Sequence, residues 1–101
     1  MSIEFELRVK KMLRRFTDDF TDEDVSFIML LDYPLTMSMS TTYPESTEKI
    51  ETSQEIECFD DLEKAVKKIS PLNEVEITIP TTIGNMKLLS RREERKQEDD
   101  N

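Results

Sequence analysis

Carboxylates are the one chemically capable side chain this 101-residue sequence holds in quantity, 23 Asp and Glu against 14 Lys and Arg. Residues 16–63 concentrate them, with 14 acids against the single base Lys49. Within that block Glu51, Glu55 and Glu57 share one parity of an alternating segment. A strand would carry them on one face, where i,i+2 side chains stand about 6.6 Å apart. That is close to the phosphate repeat of a nucleic-acid strand, so the set could enter a Lys/Arg groove built for DNA or RNA. A second set, Asp18, Asp19, Asp22, Glu23 and Asp24, could extend the surface if the fold brings it alongside. The same five acids could also be read as hard-cation ligands. They lack the alternate-position ligands and sixth-position glycine of an EF-hand loop, and helix capping accounts for most of them, so no metal is expected.

The missing residue types exclude more than the present ones suggest. His is absent, which removes the usual general base near neutral pH, the commonest zinc ligand and the middle member of Ser-His or Cys-His systems. Gly84 is the only glycine, so no phosphate-cradling loop can be written and no cofactor is expected. Cys58 is the only cysteine; between acidic neighbours it reads as a small apolar filler on a strand rather than a reactive thiol. Glu74 and Glu76 could in principle do acid-base work, but adjacent acids on one strand face are usually solvated. A non-enzymatic protein is expected.

The elements that must position these residues follow from periodicity. Phe5, Val9, Met12, Phe16 and Phe20 form one apolar stripe at helical spacing, which predicts a helix from residue 3 to about 16. Ser2 is placed to cap it, acids fill its first turn and bases its last, and Glu4–Arg8 and Glu6–Lys10 are i,i+4 pairs. A strand start over residues 3–9 is the lesser alternative. Thr21 to Asp24 reads as a capping box, opening a helix at Asp22; a short helical turn followed by a buried strand is expected over 26–31. Residues 35–43 alternate as a half-buried strand rich in hydroxyls, and residues 50–58 alternate again. Together they predict an antiparallel hairpin.

Asp60 is then expected to cap a helix with Leu62, Ala65, Val66 and Ile69 inward and Lys64, Lys67 and Lys68 outward. A strand follows with Val75, Ile77 and Ile79 inward. Gly84-Asn85 reads as a two-residue turn into 86–89, a last strand or a helix. Residues 90–101 have no apolar side chain, which predicts a charged tail, a frayed helix or disorder. Domain 1–89 is therefore expected to be α+β: a mainly antiparallel sheet of three to five strands with one or two packed helices.

With a net charge of −9, the chain should be repelled by nucleic acid and anionic membranes and attracted to basic surfaces. No apolar run is long enough to span a bilayer, and acids follow Met1 where a signal peptide would carry bases, so a cytoplasmic location is expected. The reading that unites these features is a small inhibitor of a basic nucleic-acid-binding protein, acting by charge mimicry. In plan and charge the chain resembles small phage-encoded anti-CRISPR and anti-restriction DNA mimics, a resemblance that implies counter-defence by competitive occupation of a groove. The alternative is a structural or adaptor protein, such as an antitoxin, an immunity protein, a secretion chaperone or a virion component. Its interface would be an apolar sheet edge at residues 35–43, or a Met-rich surface of Met29, Met37, Met39 and Met86. A homodimer is compatible with both.

Overall fold

The computed structural model describes residues 2–90. In chain order they form α1 (Ile3–Phe16), α2 (Asp22–Met29), β1 (Leu35–Thr42), β2 (Lys49–Ile56), α3 (Phe59–Lys67), β3 (Glu74–Thr81) and β4 (Gly84–Ser90). The four strands make one antiparallel sheet in the order β2-β1-β3-β4. The α+β class and the mainly antiparallel sheet are as the sequence predicts, with three helices among the described residues.

Helix α1 forms where its stripe predicts, burying Val9, Met12, Leu13 and Phe16. The Ser2 hydroxyl accepts from the Glu4 and Phe5 amides at 3.1 and 3.3 Å, satisfying two of the donors a helix start leaves open. Glu6 and Lys10 pair at 3.1 Å as expected. Arg8 instead turns from Glu4 toward α3, where its guanidinium donates to Asp60 at 2.7 Å and Glu63 at 2.6 Å and lies 5.0 Å over the Phe59 ring. Two carboxylates and a ring held by another helix outcompete one flexible i,i+4 partner. Phe5 meets Phe59 edge-on, centroids 5.1 Å apart.

The capping box at Thr21 is present, with the hydroxyl accepting from the Asp24 amide and the Asp24 carboxylate accepting from the Thr21 amide. Its helix corrects the expectation for residues 26–31. α2 runs through Ser26 to Met29 and no strand follows, because Val25 and Ile28 fall three apart and bury on one helical side. The third helix also starts earlier than expected. Cys58 is its N-cap rather than Asp60, since starting at Phe59 brings that ring to 8% exposure in the core.

Helix α1 packs against both α2 and α3, and α3 against β2. The core lies between these helices and one face of the sheet, built from Leu35 and Met37 of β1, Ile56 of β2, Val75, Ile77 and Ile79 of β3, and Met86 and Leu88 of β4. Met37 and Met86 are buried and Met29 and Met39 pack partly buried against this core, so the methionines fill the interior rather than line a partner surface. The last hairpin turns at Thr82 and Ile83, not at Gly84-Asn85: Thr81 pairs with Gly84, which opens β4 with φ 130°, a value L side chains rarely adopt. The predicted tail beyond Ser90 lies outside the described residues.

Candidate functional site, the uncovered face of the sheet

All three helices lie on one side of the sheet, so its other face is open. Alternation along each strand sets what that face presents. β1 supplies Thr36, Ser38 and Ser40, with Thr42 of the same parity buried, and its registers place Lys49, Glu51, Ser53 and Glu55 of β2 on one flank and Glu74, Glu76 and Thr78 of β3 on the other. Lys87 and Leu89 of β4 continue the row beyond Thr78 and Glu76. The surface is thus a hydroxyl strip between two acidic strands, with Lys49 and Lys87 as its two amines.

One row across the sheet organises the centre. Ser40 stands opposite Glu51 on one side and Glu76 on the other, and its hydroxyl donates to Glu51 at 3.0 Å. At about 4.8 Å per strand, the two glutamates sit about 10 Å apart at the backbone, with the hydroxyl between them. Around this row lies a shallow groove of about 160 Å³ lined by Ser38, Ser40, Lys49, Glu51, Glu76 and Thr78. Its donors and acceptors are hydroxyls, carboxylates and one amine, and it holds no imidazole or thiol. Among the described residues no group of three or more His, Cys, Asp or Glu is gathered as a metal would need.

The predicted acidic ladder is placed as follows. Glu51 and Glu55 lie on the open face and are exposed, separated along β2 by Ser53, so their spacing is about 13 Å rather than 6.6 Å. Glu57 falls one residue past β2, in the connection to α3, where its amide donates to the Asp61 carboxylate at 3.0 Å. Asp18, Asp19, Asp22, Glu23 and Asp24 belong to the α1–α2 connection and the start of α2, in the helix layer. The fold does not bring them alongside Glu51 and Glu55. Asp24 is also committed to the capping box. Conversely, Glu74 and Glu76 join the face through the β1–β3 pairing, which skips β2 and α3 in the chain.

Comparison with family models, with curated proteins and with solved structures finds no match.

Two further placements correct the sequence reading. Residues 35–42 are not an edge: β1 is paired on both sides, with β2 and with β3, so the expected apolar edge does not exist there. Cys58 is exposed at the start of α3 rather than packed on a strand, because β2 ends at Ile56. Sequence reasoning missed Tyr33, whose hydroxyl is buried without a hydrogen-bond partner among the described residues. Burial pushes its phenol up to about 12, and the nearby Cys58 thiol acts in the same direction.

On the helix side, one groove is lined mainly by bases. Arg8, Lys11 and Arg15 of α1, with Lys67 and Glu63 of α3 and Met12 beneath, line a groove of about 260 Å³. Arg8 is held by Asp60 and Glu63, which raise its already high pKa further. Net negative charge is thus unevenly distributed: helix α1 carries five bases against two acids, and the open sheet face and the start of α2 display acids. Among the described residues no helix is long and apolar enough to cross a membrane.

Proposed function

We propose that this protein is a small non-enzymatic inhibitor that binds a basic nucleic-acid-binding protein through the open face of its sheet. The observation that carries the reading is the pair of acidic strands, Glu51 and Glu55 on β2 and Glu74 and Glu76 on β3, held rigidly on either side of the β1 hydroxyls. Carboxylates about 10–13 Å apart fall near every second phosphate of a strand, and Ser and Thr between them can bond the same Arg and Lys side chains that bridge phosphates. A sheet keeps that pattern without the ordering cost a flexible acidic segment would incur. The helix-layer acids Asp18, Asp19, Asp22, Glu23 and Asp24 are not part of this contact. Competition for a basic groove fits the net charge of −9, which also steers the encounter and makes affinity fall with salt.

The test combines capture with competition. Immobilised protein is exposed to extract and eluted in a salt gradient, beside a variant carrying Glu51→Gln, Glu55→Gln and Glu76→Gln. The expected partner elutes at moderate salt, is lost with the variant, and releases its own nucleic acid when wild-type protein is added. Partners that persist at high salt and ignore the three substitutions would sink the proposal.

A further inference from the structure

The order β2-β1-β3-β4 leaves two edges, and they differ. β4 has its inward residues Met86, Leu88 and Ser90 covered. β2 is exposed at every position from Lys49 to Glu55, and only Ile56 is buried. Its register with β1 is unbroken from Leu35 opposite Ile56 to Thr42 opposite Lys49, so no bulge turns the edge away. It contains no proline. Ile50, on the helix side, remains 46% exposed. A flat, regular edge of eight residues is a template for another strand, and natural sheets usually blunt it with a bulge, proline, covering segment or charge. Here charge alone is present, and its arrangement selects a partner.

We propose that β2 pairs antiparallel with β2 of a second copy of this chain, about a two-fold axis passing between the two Thr52 residues. A two-fold axis perpendicular to the sheet keeps both helix layers on one side, so facing residues must share a parity. Centred on Thr52, the pairing sets Lys49 opposite the second copy's Glu55 at both ends, Glu51 opposite Ser53, Ile50 opposite Gln54 and Thr52 opposite itself. Shifting the centre to Ser53 sets Glu51 against Glu55 twice, and shifting it to Glu51 sets Glu51 against itself. Opposite charges directly across an antiparallel pair stabilise it, like charges destabilise it, and a Thr–Thr pair is favourable. The edge is therefore complementary to itself in one register and repulsive in its neighbours. The result is an eight-stranded sheet, closed by symmetry, whose open face is continuous across both copies. The pairing does not rest on the inhibitor reading.

Light scattering over about a hundredfold concentration range should show mass rising from monomer to dimer, with Kd on the order of micromolar or weaker because edge pairing buries little surface. Glu55→Lys turns both symmetric pairs repulsive and should weaken the dimer about tenfold or more. The double variant Lys49→Glu with Glu55→Lys reverses each pair and should restore wild-type assembly. In a Cys58→Ser background, Thr52→Cys should give a disulfide-linked dimer under mild oxidation, since residues facing themselves bring their Cβ atoms to about 4.5–5.5 Å. A monomer mass at every concentration, a double swap that fails to restore assembly, or cross-linking by Ser53→Cys in place of Thr52→Cys would each overturn the proposal.

Discussion

Replacing Glu51, Glu55 and Glu76 with Gln removes three of the four carboxylates from the open face, and the geometry says the fold should hardly notice. Glu51 and Glu76 are two strands apart across Ser40. At about 10 Å in water, two unit charges repel by about 0.4 kcal/mol, and screening at physiological salt reduces this to about 0.1 kcal/mol. Glu51 and Glu55, about 13 Å apart along β2, repel less. Gln keeps an oxygen that can accept from Ser40, so the 3.0 Å bond to position 51 survives in kind. Urea unfolding at low and at physiological salt should therefore place the variant within about 0.5 kcal/mol of wild type, with any gain confined to low salt. Capture of the basic partner, by contrast, should collapse, because the partner meets all three charges with their counter-charges close by. A gain in stability above about 1 kcal/mol at physiological salt would contradict this picture of well-separated, hydrated carboxylates. It would mean that the carboxylates are crowded or desolvated and that the hydroxyl spacers do not separate them.

Three further outcomes follow from the interior and the caps. Leu62→Ala, at a fully buried position of α3, should cost about 2–5 kcal/mol in chemical denaturation by opening a cavity. Tyr33→Phe removes a buried hydroxyl that has no partner among the described residues and should raise stability by about 0.5–1 kcal/mol. Tyr33 is raised from 10.0 to about 12 in the folded chain, so its contribution is full below pH 10 and is lost between pH 10 and 12, as the unfolded phenol ionises first. That alkaline loss should be smaller in the Phe variant, which a pH series of thermal melts would read directly. Thr21→Ala breaks the capping box and should cost about 1 kcal/mol, with the amide of Asp24 losing protection in hydrogen exchange.

Local pattern determined which segments became helices and strands wherever one periodicity dominated. The stripe through Val9, Met12 and Phe16, the Thr21 capping box and the alternations of β1, β2 and β3 each act over a few residues, so the sequence carries them, whereas it left 86–89 open between strand and helix. It went astray where two local signals competed. Residues 27–31 are apolar throughout, and packing of Val25 and Ile28 on one helical side extends α2 through Met29. Gly84 marked a turn correctly but stands just after it, because the Thr81 and Gly84 pairing closes around Thr82 and Ile83. The face of Glu51 and Glu55 was legible, since alternation of period two fixes it.

What alternation could not carry was the order of strands. β3 comes after β2 and α3 in the chain but inserts beside β1. That one choice buried the 35–42 segment between neighbours, exposed β2 as an edge, and set Glu74 and Glu76 beside the hydroxyl strip. Strand order depends on which pairings let Val75, Ile77 and Ile79 complete the core under three helices. That is a property of the whole packed surface, decided by burial between segments far apart in sequence, and no local spacing records it.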